Sequence, residues 1–316
     1  FRIPRAEWRD RLARVRAMGL NAVEVYVPWN FHAPHPSQVD FTGERDLDAF
    51  LGMCDELGLL VLLRPGPYVC AEWEQGGILY WLTRASSGVR HFRSSDPAWL
   101  SAVAAWWAQL LPRVAKHLYA SGGAVVMVQI ENEFGLYAAK PDTAYLEALV
   151  AMARRHLGDD VVLYTTDPPG ALHVGTLRGA SVLSTVDFQP PTSVAETRTN
   201  FDAQRAYNPP GRSPPMCSEL YSGWLAHWGD AAMVNRSAAA FVAGIEHVLA
   251  LNGSFSVYMA DGGTNFGFWN GANADDDDDQ DGDDHYKAHI TSYDYNAPID
   301  ESGVHGYGTD GVDKYA

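Results

Sequence analysis

Residues 19–27 read GLNAVEVYV and residues 58–66 read GLLVLLRPG, and these two stretches decide the fold class. Each opens with a glycine that ends an amphipathic helix, continues as a short apolar run and closes in loop residues. The apolar stripes of the two preceding helices are Trp8, Leu12, Val15 and Met18, and Leu47, Phe50, Leu51, Cys54 and Leu57. Helix, glycine, buried strand and loop, repeated in this order, are typical of a parallel sheet covered by helices.

The same alternation continues along the chain. Asp96-Pro97 and Asp142 are good helix starts, and residues 238–251 have the pattern of a further helix. Five more apolar runs follow the first two, at residues 124–130, 161–165, 182–188, 216–220 and 254–259. An open doubly wound sheet would usually carry a glycine-rich phosphate turn after an early strand, and none is present. We therefore expect an α/β fold, the (β/α)₈ TIM barrel, with the first of its eight strands before Phe1.

Composition excludes several classes of function. Hydrophobic residues make up 47% and charged residues 20% of the 316 residues, as in an ordinary globular protein. The net charge of −16 argues against a nucleic-acid partner. Half of that charge lies in an aspartate run, and residues 274–285 are expected to form a solvated acidic loop within one catalytic domain covering residues 1–316. No apolar run is long enough to span a membrane, and three cysteines are too few for a disulfide framework.

Carboxylates, amides and aromatic residues follow the predicted strands, where a barrel of this type carries its working residues. This combination suggests a sugar site. Glycoside hydrolysis needs one protonated and one ionised carboxyl group, about 5–5.5 Å apart for retention or about 6.5–9.5 Å apart for inversion. Glu133 and Glu219 lie at the ends of two separate predicted strands and could face each other across the barrel mouth. Glu131 is an alternative acid, because the two-residue period of a strand would point it the same way as Glu133.

Five motifs around these residues resemble, in order, those of the glycoside hydrolase family 35 β-galactosidases. They are YVPWN at residues 26–30, RPGPYVCAEW at 64–73, QIENEFG at 129–135, SELYSGW at 218–224 and GGTNFG at 262–267. The resemblance implies a retaining, exo-acting β-galactosidase that works by double displacement on terminal β-linked galactose. It also implies that Glu133 is the general acid/base and Glu219 the nucleophile, with Asn132 holding the sugar 2-hydroxyl.

The resemblance further implies a set of binding residues. The galactose pocket would include Tyr26, Cys70, Ala71, Glu72 and Tyr295, and Tyr221 would lie close enough to orient the nucleophile. The family's first strand normally runs into the FRIP sequence with which the chain opens, in agreement with a strand before Phe1. No cofactor and no metal are implied, and a secreted, vacuolar or lysosomal location is the family expectation.

Two alternatives remain open from the sequence. The chain could be a degenerate homologue that binds galactose without cleaving it, although both glutamates that catalysis needs are present. It could also be a β-glycosidase that acts on another sugar, such as β-glucosaminides, because the motifs do not select one hydroxyl pattern. The tyrosines and Cys70 could also serve packing alone.

Overall fold

The computed structural model describes residues 1–36, 38–179, 181–274 and 286–316, and a parallel sheet lies at its centre. The sheet strands are β1 (Ala22–Tyr26), β2 (Leu60–Arg64), β3 (Val125–Gln129), β4 (Val162–Asp167), β5 (Leu183–Phe188), β6 (Met216–Tyr221) and β7 (Ser254–Tyr258). Each strand pairs in parallel with the next one along the chain. The predicted α/β barrel class and its seven strands are confirmed.

Helices connect the strands and cover the outside of the sheet. They are α1 (Trp8–Ala17), α2 (Trp29–His32), α3 (Leu47–Glu56), α4 (Pro97–Val114), α5 (Phe134–Tyr137), α6 (Thr143–Leu157), α7 (Leu172–Gly175), α8 (Val194–Arg205) and α9 (Ala238–Leu249). The two predicted helix starts are confirmed. The carboxylate of Asp96 accepts from the first backbone amides of α4, and that of Asp142 accepts from the amide of Tyr145 in α6.

Helix α4 packs on the outside of the sheet and supports strands β2 and β3. One face of this helix is fully buried, through Trp99, Val103, Trp106, Trp107, Leu110, Leu111 and Val114. It packs against α6, and the indole of Trp107 reaches the carbonyl of Pro65, directly after β2. Burial of this much apolar surface holds the ends of β2 and β3 in place, and those ends carry Arg64 and the loop to Glu133.

Strands β1 and β7 are the two ends of the sheet and do not pair with each other. A cavity of about 380 Å³ lies between them, lined by Val23 and Val25 of β1 and by Phe255 and Val257 of β7, among others. The barrel is therefore nearly closed, with one apolar gap. The eighth strand predicted before Phe1 lies outside the described residues.

One feature near the mouth was not predicted. Strands β8 (Ala272–Ala274) and β9 (Tyr286–Ala288) form an antiparallel pair that flanks the acidic segment. Strands of three residues are too short to show a period in the sequence. Residues 275–285 of the predicted acidic loop lie outside the described residues, and the assignment of residues 1–316 to a single domain stays a prediction. Among the described helices, none is long and apolar enough to cross a membrane.

Candidate active site

The side chain of Glu219 lies on β6 and is 3% exposed. Arg64, the last residue of β2, donates from its guanidinium to Glu219 Oε1 at 2.5 Å. The hydroxyl of Tyr26, the last residue of β1, lies 3.4 Å from the same oxygen. A charge-assisted hydrogen bond from a guanidinium is short and directional, so it fixes the position of the Glu219 carboxyl group in the site.

Glu133 is placed differently. It follows β3 on a loop in which its own backbone is left-handed, with φ of 41°. Burial, followed by the negative charge of Glu219, raises the pKa of Glu133 well above its ordinary value of 4.5. The amide of Asn132 donates to Glu133 Oε2 at 3.2 Å. A carboxyl group with a raised pKa stays protonated to higher pH, as a general acid requires.

A continuous polar chain joins the two carboxyl groups. Arg64 donates to Asn132 Oδ1 and to Glu219, and Asn132 in turn donates to Glu133. These hydrogen bonds connect the loop after β3, through the last residue of β2, to β6. The fold therefore brings Glu133 and Glu219 into one site. Their catalytic roles and the spacing near 5 Å that a retaining mechanism needs stay predictions.

The predicted binding residues Cys70, Ala71 and Glu72 form one tight turn after β2. Their φ angles are 53°, 58° and 47°, three left-handed residues in succession without a glycine. The carbonyl of Ala71 accepts from the guanidinium of Arg2, which holds the turn. Burial raises the pKa of Glu72, and it raises the pKa of the Cys70 thiol to about 12. The thiol therefore stays protonated, and the turn presents the partly buried carboxyl group of Glu72 to the site.

Two further tyrosines in this region were not predicted from the sequence. The hydroxyl of Tyr26 lies 3.4 Å from that of Tyr258, which lies 3.0 Å from that of Tyr293. Tyr293 then donates to Glu72 Oε2. These three tyrosines, the tyrosine chain, connect the carboxylate of Glu219 to that of Glu72. Tyr258 ends β7, and its position at a strand end was the available signal.

Tyr295 lies beside the tyrosine chain. Its ring centroid is 5.2 Å from that of Tyr258 and 6.2 Å from that of Trp224, and the residue is 2% exposed. Tyr295 also has a left-handed backbone, with φ of 59°. Its predicted place in the pocket stays a prediction, but the side chain does lie in the same aromatic cluster as Tyr26 and Tyr221.

The hydroxyl of Tyr221 has no direct hydrogen bond to Glu219, and its predicted role in orienting that carboxylate stays a prediction. The Tyr221 hydroxyl instead lies 3.4 Å from Asp187 Oδ1, at the end of β5. The register of β6 shifts against both neighbouring strands near Glu219, so spacing along the strand does not give the side chain's partners. Burial raises the pKa of Asp187 far above its ordinary value. Asp187 is a buried carboxyl group of this site that the sequence did not indicate.

Glu131 is not available as an alternative acid. Its carboxylate is 2% exposed and pairs with Arg93, with 2.8 Å between Glu131 Oε2 and the guanidinium. Both Glu131 and Glu133 have left-handed backbones, at φ of 64° and 41°. The two-residue period applies only to extended chain, and β3 ends at Gln129, so the predicted common orientation of Glu131 and Glu133 was wrong. Across the described ranges, no three His, Cys, Asp or Glu residues are grouped as a metal would need.

A nearly closed barrel with paired glutamates, an amide and tyrosines at its strand ends defines the class of barrel glycoside hydrolases. The family described as Glycosyl hydrolases family 35 matches residues 1–307, and the chain belongs to this family. Beta-galactosidase 17 of Arabidopsis thaliana is 48% identical over 306 residues, covering 96% of this chain and 42% of that protein. The beta-galactosidase of Homo sapiens is 46% identical, with the same two coverages. The chain thus spans less than half the length of these relatives.

Solved structures support the fold. A beta-galactosidase from the psychrophilic Marinomonas ef1 has a TM-score of 0.59 at 14% identity, covering 85% of this chain and 54% of that one. An exo-beta-1,4-mannosidase from Opitutaceae bacterium strain TAV5 also has a TM-score of 0.59, at 18% identity, with 82% and 49% covered. At these identities the likeness establishes the barrel alone.

Proposed function

We propose that the protein is a retaining, exo-acting β-galactosidase. One observation carries this proposal: a buried polar chain links two glutamates whose surroundings differ. Glu219 receives hydrogen bonds from Arg64 and Tyr26, whereas Glu133 is desolvated beside a negative charge and has a raised pKa. Such a pair suits one nucleophile and one acid. The family membership and the relatives' names support galactose as the sugar.

The first chemical step would form a covalent galactosyl-enzyme. Glu133 gives its proton to the glycosidic oxygen as the bond to the anomeric carbon breaks, and a carboxylate oxygen of Glu219 bonds to that carbon from the other face. Asn132, held by Arg64, is placed to bind the 2-hydroxyl, whose hydrogen bond strengthens in the transition state. Glu72 and the tyrosine chain offer acceptors and donors for the other hydroxyls.

The second step reverses the role of Glu133. In the covalent intermediate Glu219 is an ester, so its negative charge no longer raises the pKa of Glu133. The pKa of Glu133 therefore falls, and the carboxylate that gave its proton can take one from water. Water attacks the anomeric carbon, and galactose leaves with its configuration retained. A secreted, vacuolar or lysosomal location remains part of this proposal.

Hydrolysis of a panel of aryl β-glycosides by the full-length protein tests the proposal. We expect the β-galactoside to be cleaved best, and nuclear magnetic resonance to show β-galactose as the first product. Preference for a β-glucosaminide would keep the mechanism but overturn the sugar assignment. Binding of galactose without cleavage of any substrate in the panel would show a degenerate homologue instead.

The change in the pKa of Glu133 can be measured directly. We expect that trapping the nucleophile with a 2-deoxy-2-fluoro-β-galactoside lowers the pKa of Glu133, because the trapped ester removes one of the charges that raise it. Carboxyl carbon resonances, assigned by loss of the signal in Glu133→Gln, would be titrated in the free and trapped protein. An unchanged pKa would contradict the coupling to Glu219.

A further inference from the structure

A buried arginine outside the recognised motifs holds the loop that carries Glu133. Arg93 lies in the irregular segment before α4 and is 6% exposed. Its guanidinium contacts both carboxylate oxygens of Glu131, at 2.8–3.3 Å, and also donates to the backbone carbonyl of Asn132 at 2.5 Å. One side chain thus binds the two residues that immediately precede Glu133.

The partners of Arg93 leave it little freedom. Its guanidinium carbon lies 3.9 Å from the ring centroid of Tyr68 and 4.3 Å from that of Tyr137. Contact with two rings shields the cation in part from water and restricts the orientation of its donors. The Glu131 carboxylate is equally constrained, since it also accepts from the hydroxyl of Tyr145 at 2.7 Å and from the amide of Asn132 at 2.8 Å.

The loop held in this way has a backbone that needs support. Glu131 and Glu133 are both left-handed, a conformation that costs free energy for residues other than glycine. Such a backbone persists where surrounding contacts fix it. Arg93 and Tyr145 bind the residues before Glu133, and after it the amide of Gly135 donates to Asp167 Oδ1 at 2.7 Å.

We propose that Arg93 is a positioning residue for the acid/base, acting through its ion pair with Glu131 and its bond to the Asn132 carbonyl. This inference rests on the proposed function and adds a residue to that same site. Arg93 touches neither Glu133 nor the sugar-binding side chains described above. Its effect passes through the backbone of Glu131 and Asn132, whose position determines where the Glu133 carboxyl group can reach.

The test compares substrates that differ in how much they need a proton. A phenyl β-galactoside has a poor leaving group and depends on the acid, whereas a 2,4-dinitrophenyl β-galactoside has a good one and depends on it little. In the full-length protein, Arg93→Lys keeps the charge but loses the forked contact. We expect kcat/KM to fall roughly 100-fold for the phenyl substrate and less than about threefold for the dinitrophenyl substrate.

A second variant and a matched control complete the experiment. Tyr145→Phe removes one donor to Glu131 and keeps Arg93, so we expect a smaller loss with the same substrate dependence, measurable even if Arg93→Lys does not fold. Arg113→Lys changes an arginine that also lies over a ring, that of Phe41 at 4.4 Å, but that pairs with Asp48 instead of Glu131. We expect Arg113→Lys to leave both substrates unaffected.

The possible failures are distinguishable. Equal losses with both substrates in Arg93→Lys and Tyr145→Phe would mean a merely structural role and would overturn the inference about Arg93. Wild-type protein that cleaves neither galactoside would overturn the proposed function itself, and that result is visible before any variant is made.

Discussion

Glu219→Gln is expected to lower kcat for aryl β-galactosides by roughly four to six orders of magnitude, the scale of loss when a covalent nucleophile is removed. The amide cannot form the galactosyl ester, so the first step has no route. The shape of the side chain and one acceptor oxygen for Arg64 are kept. Glu24, with its carboxyl group 4.0 Å from Arg64, remains as a second partner for the guanidinium. We therefore expect a folded, inactive protein by circular dichroism and thermal melting.

Mass spectrometry gives an independent measurement of the same role. Wild-type protein incubated with a 2-deoxy-2-fluoro-β-galactoside should carry one sugar on the peptide that contains Glu219, and Glu219→Gln should carry none. Glu246→Gln is the matched control, since Glu246 is an exposed residue of α9 and its loss should change neither labelling nor turnover. Labelling on any other glutamate would contradict the assignment of the nucleophile.

Glu133→Ala is expected to show the second largest effect, and one that depends on the substrate. Removal of an acid/base costs about 10²–10⁴-fold. We expect kcat/KM for the phenyl β-galactoside to fall by the upper end of that range, and for the dinitrophenyl β-galactoside by less than about tenfold. With the second substrate the galactosyl-enzyme should accumulate, because no base remains to activate water.

Azide provides the sharper readout for this variant. A small anion fits the space left by the carboxyl group and needs no base, so we expect it to accelerate turnover of Glu133→Ala and to form β-galactosyl azide. Wild-type protein and the control Glu147→Ala, at an exposed position of α6, should not respond. Absence of azide rescue, together with equal losses for both substrates, would contradict the acid/base role of Glu133.

The barrel could be predicted because its signals are local. A helix, a glycine and an apolar run lie within about 20 residues of sequence, and the period of each element is set by its own backbone. The helix starts at Asp96 and Asp142 depend on side chains that bond within three residues, and both are formed. The antiparallel pairing of β8 with β9 was missed because these strands are too short to show a period.

The contacts of the site could be predicted only in part. The motifs placed Glu133, Asn132 and Glu219 at strand ends, and the structure brings them together. The hydrogen bond of Tyr221 to Asp187 could not be predicted, because the register of β6 shifts near Glu219. The expected orientation of Glu131 failed because left-handed residues interrupt the extended chain after β3.

The sequence by itself determined the barrel class and the family resemblance, and it placed Glu133 and Glu219 at the ends of predicted strands, because each of these follows from residues close together in the chain. Only the tertiary structure decided how those glutamates are surrounded. Arg64 reaches Glu219 across 155 residues of sequence, and Tyr293 reaches Glu72 across 221. Such partners depend on strand register, on left-handed turns and on how nearly the barrel closes. These properties are set by packing of the whole sheet, and so no local pattern records them.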